Sequence, residues 1–96
     1  MLTSKQRSYL RGLANTIQPI FQVGKGGINE NMIIQFNEAL EARELIKASV
    51  LNNSVSEARD ICHEISRKTN SNVVQVIGSK FILYKESKDN KVIILP

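Results

Sequence analysis

The chain has 96 residues, of which 42% are hydrophobic and 23% charged, and its net charge is +4. This composition is typical of a globular domain and not of a disordered tail, and the length predicts one domain, residues 1–96. No apolar run approaches the ~20 residues that cross a bilayer, the N-terminus lacks the apolar stretch of a signal peptide, and Cys62 is the single cysteine. These features exclude a membrane-spanning helix and a disulfide-stabilised secreted domain, so we expect a cytoplasmic protein.

The charges are distributed unevenly along the chain. Residues 1–29 hold four bases and no acid, residues 30–64 hold seven acids against three bases, and residues 65–96 hold six bases against two acids. If the two basic ends meet in the fold, they form the positive surface that is expected of a nucleic-acid-binding protein. Many small proteins are equally basic for solubility alone, so charge does not decide between the two interpretations.

The first half of the chain predicts a helix, a strand and a second helix. Thr3 and Gln6 have the spacing of a capping box, which predicts a helix that begins after Thr3 and ends before Pro19. Residues 20–23 predict a short strand, and Asn29 is a suitable N-cap for the second helix. The apolar stripes of the two helices are formed by Leu10, Leu13, Ala14 and Ile17, and by Ile33, Phe36 and Leu40.

The second half predicts a strand, a helix and a hairpin. Residues 45–51 are rich in branched side chains, which favours a strand, and Ser54 begins a third helix with a second capping-box spacing. Residues 72–77 and 80–84 predict a hairpin, because Gly78 followed by Ser79 suits a two-residue turn. Residues 92–95 predict a final edge strand.

The predicted element order, α-β-α-β-α-β-β, determines the fold class. Two strand–helix–strand units favour parallel pairing, and the closing hairpin makes the sheet mixed. In so short a chain we expect two layers, with the helices packed on one small mixed sheet. The sequence therefore predicts an α/β domain.

The most distinctive motif is the glycine-rich segment Gly24-Lys25-Gly26-Gly27. Its place before a helix N-terminus lets its amides face a phosphate, while Lys25 adds positive charge. The spacing of Gly24 and Gly27 matches the GxxG loop with which KH domains hold a nucleic-acid backbone. A tight strand-to-helix turn explains the glycines equally well. The segment lacks the ending of a Walker loop and is no dinucleotide-binding fingerprint.

Three bases, Lys5, Arg7 and Arg11, lie on the first predicted helix, and Arg7 and Arg11 are one turn apart. Such bases contact phosphates in some proteins and form a solvated face in others. Because residues 1–29 contain no acid to pair with them, phosphate contact is the better interpretation.

No group of residues predicts catalysis or metal binding. Cys62 and His63 are neighbours on a helix and point ~100° apart, and no other Cys or His completes a zinc site. Cys62 falls on the apolar stripe of its helix, which predicts a core position, and His63 is expected at the surface. Glu38 and Glu41 predict a solvated helix face. We therefore expect a non-enzyme with no cofactor, no metal and no small-molecule substrate.

Several segments, in this order along nearly the whole chain, together resemble the YhbY/CRM-domain family. They are LTSKQR at 2–7, LRGLA at 10–14, QVGKGGI at 22–28, EALEARELIK at 38–47, VQVIG at 74–78, LY at 83–84 and ILP at 94–96. The resemblance implies a compact α/β fold like the C-terminal domain of bacterial translation initiation factor three, with a KH-like GxxG loop. Bacterial stand-alone members associate with precursors of the large ribosomal subunit, and plant relatives act in intron splicing.

The resemblance also extends to single positions. Gly24, Lys25 and Gly27 match the family's motif and Gly26 occupies its variable position. The basic first helix and Lys47 match as well. Two positions differ: residue 49 is a serine where many members have a second basic residue, and residue 86 is a glutamate where a proline is usual.

The resemblance implies an RNA-binding protein without catalysis, with ribosomal RNA or large-subunit precursors as its partner, and we expect a monomer. The alternative is a protein-interaction module that acts through its acidic segment 30–64, without direct RNA contact. The residues predicted to bind RNA are Lys5, Arg7, Arg11, Gly24, Lys25, Gly26, Gly27, Lys47 and Lys80.

Overall fold

The computed structural model describes residues 2–24, 27–51 and 55–96 of the chain. Its helices and strands follow one another in the predicted order, and the four strands form one mixed sheet, so the predicted α/β class is confirmed. The elements are α1 (Ser4–Ala14), β1 (Phe21–Val23), α2 (Glu30–Arg43), β2 (Leu45–Val50), α3 (Val55–Thr69), β3 (Asn72–Ile77) and β4 (Lys80–Tyr84).

Local signals determine where α1 and α2 begin. The capping box of α1 is present, because Gln6 N donates to Thr3 Oγ1 at 3.1 Å and Thr3 N donates to Gln6 Oε1 at 3.0 Å. Asn29 Oδ1 caps α2 by accepting from Met32 N at 2.8 Å. The predicted cap at residue 54 lies outside the described residues.

Helix α1 ends at Ala14, several residues earlier than the position before Pro19 that the sequence predicts. The next amides bond three residues back instead of four, with Asn15 N donating to Gly12 O at 3.3 Å and Ile17 N donating to Ala14 O at 3.1 Å. These tighter turns satisfy the carbonyl groups at the end of the helix. The proline therefore lies beyond the helix and does not terminate it.

The strand order is β1-β2-β4-β3. Strands β1 and β2 pair in parallel, as the first strand–helix–strand unit predicts, while β4 is antiparallel to both of its neighbours. In the second unit β2 and β3 share a direction, but β4 lies between them. The hairpin turn matches the prediction, because Ile77 pairs with Lys80 and Gly78 has a φ of +58°.

The predicted arrangement in two layers is wrong: α1 packs on one face of the sheet, and α2 and α3 pack on the other. One core contains Ile46, Ala48, Phe81 and Leu83 with residues of α2 and α3, and the second contains Leu45, Ile82 and Tyr84 with residues of α1. Because alternate residues of a strand point to opposite faces, β4 is buried on both faces and the domain has three layers.

Residues 85–96, which we call the segment after β4, cover the same face of the sheet as α1. Ile93 and Leu95 pack against the core on the α1 face, whereas Val92 and Ile94 are exposed. The segment does not form the predicted edge strand. Three amides of the segment, those of Ser87, Val92 and Ile93, instead donate to the carboxylate of Glu44, at the end of α2.

Candidate nucleic-acid interface

The glycine loop, residues 24–27, follows β1 in the sequence and precedes α2. Gly27 N donates to Gly24 O at 3.1 Å, and Gly27 has a φ of +74°, which a residue with a side chain rarely adopts. A Cβ on Gly24 would meet no atom within 4 Å, so the fold itself leaves room for a side chain at that position. Lys25 and Gly26 lie outside the described residues.

The N-terminus of α2, which follows the loop, is less positive than an uncapped helix end. Asn29 already accepts the amide of Met32, and Glu30 places a carboxylate in the first turn. Most of the positive charge for an anion near this loop must therefore come from lysine and arginine side chains rather than from the helix dipole.

Two hydrogen bonds place the glycine loop and the β3–β4 turn on either side of the end of β2. Leu51 N donates to Val23 O at 2.8 Å, immediately before the loop, and Val50 N donates to Ser79 O at 2.7 Å, within the turn. Both loops therefore belong to the same end of the sheet.

A cleft on the α1 face of the sheet contains two of the predicted RNA-binding residues. We call it the sheet cleft. Across the sheet, Lys47 of β2 pairs with Ile82 of β4, which pairs with Gln75 of β3. Two residues further along β2, toward the glycine loop, Ser49 pairs with Lys80, which pairs with Ile77. The sheet cleft has a volume of about 230 Å³ and is lined by Asn15, Lys47, Gln75, Ile77, Lys80 and Ile82.

The two lysines of the sheet cleft are not neutralised by any described residue. Within the described ranges, neither Lys47 nor Lys80 forms an ion pair or a side-chain hydrogen bond. Lys47 is half-buried and Lys80 exposed. Two uncompensated charges on neighbouring strands produce a positive potential that favours an anionic ligand.

The arginines of α1 lead toward this cleft. Arg7, Arg11 and Asn15 are spaced four residues apart, so they follow one another along one face of the helix, and Asn15 lines the cleft. Lys5 lies ~15 Å from Asn15 along the helix axis, near the end where Gln6 Nε2 donates to Pro96 O. Arg11 is therefore about one helical turn from Asn15, whereas Lys5 lies at the far end of the helix.

A larger groove lies at the beginning of α2 and is lined by Ile28, Asn29, Glu30, Ile33, Ile34 and Lys68. Among its described lining residues, the charged side chains are one acid and one base, and Lys68 also lies 3.8 Å from the carboxylate of Glu64. The described side chains therefore give this groove no excess of positive charge, whereas Lys47 and Lys80 give the sheet cleft two positive charges, so the sheet cleft is the better candidate for binding an anion.

Glu41 does not form the solvated helix face that the sequence predicts. Its carboxylate accepts from Lys88 N at 3.0 Å, from Ser87 Oγ at 2.7 Å and from Asp89 N at 3.0 Å. These hydrogen bonds stabilise the charged form and lower the pKa of Glu41 from 4.5 to about 2. Glu41 therefore holds the segment after β4 against the end of α2.

Glu44 has the same role and is fully buried. Its Oε2 accepts from Ser87 N at 2.8 Å, and its Oε1 accepts from Val92 N at 2.7 Å and Ile93 N at 2.8 Å. Burial opposes the charge, but these amides and the nearby Lys91 outweigh it and lower the pKa of Glu44. Sequence reasoning missed this contact, because the partners lie 43 to 49 residues further along the chain.

The neighbouring residues Cys62 and His63 lie in different environments. Cys62 is buried, as predicted, and burial raises the pKa of its thiol to about 12, so the nucleophilic thiolate is absent at neutral pH. His63 is exposed, also as predicted. Across residues 2–24, 27–51 and 55–96, no three acidic, His or Cys side chains are grouped to hold a metal ion. In the same part of the chain, no helix has the length and apolar character needed to cross a membrane.

Comparison with known proteins relates the chain to one family and to proteins named for RNA binding. The family model of the CRS1/YhbY (CRM) domain matches residues 2–85. The chain is 55% identical to the probable RNA-binding protein YqeI of Bacillus subtilis, with 100% of both chains covered. It is 33% identical to an RNA-binding protein of Haemophilus influenzae, with 95% of this chain and 92% of that protein covered. The solution structure of SAV1595, a candidate RNA binding protein of Staphylococcus aureus, is 56% identical, covers 100% of both chains and superimposes with a TM-score of 0.86.

Proposed function

Because the chain belongs to the CRS1/YhbY (CRM) domain family, we propose that it is a non-catalytic RNA-binding protein. Relatives that match nearly the whole chain are named as RNA-binding proteins, which supports this class of ligand. Within the class, we propose ribosomal RNA, in precursors of the large ribosomal subunit, as the partner. The protein acts in the cytoplasm as a monomer.

The observation that carries the proposal is the position of the uncompensated charge. Lys47 and Lys80 lie in the sheet cleft without an acidic partner among the described residues, and the glycine loop belongs to the same end of the sheet. An RNA strand can therefore contact the loop and the lysines together. Contacts of this kind recognise the phosphate backbone and the shape of an RNA more than its sequence.

Each predicted residue has a role in this proposal. Lys25 and the backbone of Gly24, Gly26 and Gly27 hold a phosphate group in the manner of a KH loop. Lys47 and Lys80 bind the next phosphates across the sheet. Arg11, then Arg7 and Lys5, extend the positive surface along α1.

The acidic alternative is a weaker candidate. Glu41 and Glu44 bind the segment after β4, and Glu64 lies 3.8 Å from Lys68. These contacts reduce the free acidic surface that a protein partner would find in segment 30–64.

The first experiment measures binding of a structured fragment of large-subunit ribosomal RNA as a function of salt. If roughly four to six phosphates are neutralised, log K against log[salt] has a slope of about −3 to −5. A flat salt response would contradict the electrostatic contact and favour the protein-interaction alternative.

Two variants of the glycine loop then test whether the loop is part of the contact. Lys25→Glu is expected to lower RNA affinity at least about tenfold, or ~1.4 kcal/mol. Gly24→Ala adds a Cβ that meets no atom of the described residues within 4 Å, at a position without positive φ. It should therefore melt like the wild type and still bind RNA less tightly, because the Cβ hinders close approach of the RNA backbone. If both variants bind RNA as tightly as the wild type, the glycine loop does not contact the RNA and serves only as a turn.

A matched control is Glu38→Lys, at an exposed position of α2, which should leave RNA affinity unchanged or slightly higher. Glu41 is unsuitable as a control, because its carboxylate binds residues 87–89. Sedimentation of a cell lysate on a sucrose gradient tests the ribosomal partner: the protein should migrate with large-subunit precursors and not with free protein.

A further inference from the structure

The sheet cleft contains more than positive charge. Asn15 and Gln75 place two side-chain amides at its edge, and Ile77 and Ile82 provide apolar surface. Ile82 is buried, whereas Ile77 is 58% exposed although it is a large apolar side chain. A binding site for phosphate alone requires cations and donors but no apolar surface, so this combination indicates a ligand with an apolar face and a polar edge.

The geometry of the cleft limits the size of that ligand. Lys47, Ile82 and Gln75 are neighbours on three adjacent strands, so Lys47 and Gln75 are ~10 Å apart with the isoleucine between them. The volume of about 230 Å³ is below the ~300–1,000 Å³ of pockets that enclose drug-sized ligands. The cleft therefore suits a single planar ring system rather than a larger molecule.

The amide side chains at the cleft have no hydrogen-bond partner among the described residues. In the part of the chain that the structure describes, the side chains of Asn15 and Gln75 form no hydrogen bond. Each amide offers one acceptor and two N–H donors, and such side chains bind the edges of nucleobases in pairs of hydrogen bonds. Single-stranded RNA presents unstacked bases whose edges are free for this recognition.

We propose that the sheet cleft binds one unpaired nucleobase of the RNA, with Asn15 and Gln75 bonding its edge and Ile77 and Ile82 contacting its face. Lys47 and Lys80 bind the phosphates on either side. The inference rests on the proposed RNA binding and adds a specificity site to it: base identity is read at the sheet, while the glycine loop holds the backbone.

The experiment compares four single-stranded homopolymers, of A, C, G and U, with an abasic oligomer of the same length. About eight nucleotides is sufficient, twice the four that a GxxG loop contacts. The wild type should bind at least one homopolymer about tenfold more tightly than the abasic oligomer and should discriminate among the four. Equal binding of all five with a normal salt dependence would overturn the base site and leave the proposed RNA binding intact. No binding to any RNA would overturn both.

Variants test which side chains cause the preference for one homopolymer over another. Asn15→Ala and Gln75→Met remove the amides, and the methionine keeps the volume of the glutamine at a half-buried position. Both should reduce the preference among homopolymers to less than about threefold and leave the salt slope unchanged. Lys80→Ala is the contrasting variant: it should flatten the slope by about 0.7, the value of one phosphate on a single strand, and keep the base preference. If the amide variants discriminate like the wild type, while their melting temperatures confirm that they are folded, the proposal is wrong.

Discussion

Replacing Glu44 by glutamine is the sharpest test of what holds the segment after β4. The substitution keeps the shape of the side chain and removes its charge. The carboxylate of Glu44 accepts hydrogen bonds from the amides of Ser87, Val92 and Ile93, at 2.7 to 2.8 Å. A glutamine has only one acceptor oxygen. It cannot accept from Ser87 at one oxygen position and from Val92 and Ile93 at the other, as the carboxylate does.

The expected loss follows from this geometry. If the oxygen of the glutamine remains with Val92 and Ile93, its NH₂ group faces the amide of Ser87. One buried amide then lacks a partner, at a cost of about 1–3 kcal/mol, and the other two bonds lose the contribution of the charge. Burial of the charge opposes this, because it alone would raise the pKa of Glu44. The net loss should be roughly 2–3 kcal/mol, out of the ~5–15 kcal/mol that stabilise a typical domain.

The assay is urea unfolding at pH 7, followed by circular dichroism, with a thermal melt beside it. A loss of 2 kcal/mol should lower the melting temperature of a domain this size by at least about 8 °C. Glu38→Gln is the matched control, since Glu38 is on the same helix and exposed, and it should change stability by less than ~0.5 kcal/mol. If Glu44→Gln also changes stability by less than ~0.5 kcal/mol, the carboxylate does not hold the segment.

Three further predictions follow from the described contacts. Because the pKa of Glu41 is lowered from 4.5 to about 2, its contribution is present above pH 4.5 and is lost as the pH falls toward 2. Urea midpoints should decline across that window, and less so in Glu41→Gln; equal slopes would contradict the contact. Gly12 lies inside α1, where a Cβ meets nothing within 4 Å, so Gly12→Ala should stabilise the protein by ~0.5–1 kcal/mol in a urea titration; a decrease would contradict the open position. Ser49 is the neighbour of Lys80 on β2, so Ser49→Lys should tighten RNA binding and steepen the salt slope by about one; unchanged binding would argue against RNA at this face.

Much of the secondary structure is determined by the sequence alone, because its signals act over a few residues. The capping box at Thr3, the N-cap at Asn29 and the turn at Gly78 are each read from neighbouring positions, and each is present in the structure. The core position of Cys62 follows from helical spacing in the same way.

Only the tertiary structure decides which face of the sheet each helix covers. The sequence indicates that α1 is amphipathic, but its stripe fits either face of a sheet equally well. The buried run from Phe81 to Tyr84 indicates that both faces of β4 are covered, yet it does not say by which element. The insertion of β4 between β2 and β3 is likewise a choice among long-range pairings, which no local pattern specifies.

The same distinction applies to the candidate site. The glycine loop is contiguous, so the sequence reveals it directly. The sheet cleft combines Asn15, Lys47, Gln75 and Lys80 from the end of α1 and from three strands, which are far apart in the chain and meet only in the fold. Glu44 is an acid by sequence and an internal hydrogen-bond acceptor by structure, since its partners approach only when the segment after β4 folds back over the sheet. Local chemistry determines the elements, and long-range packing determines which of their side chains meet.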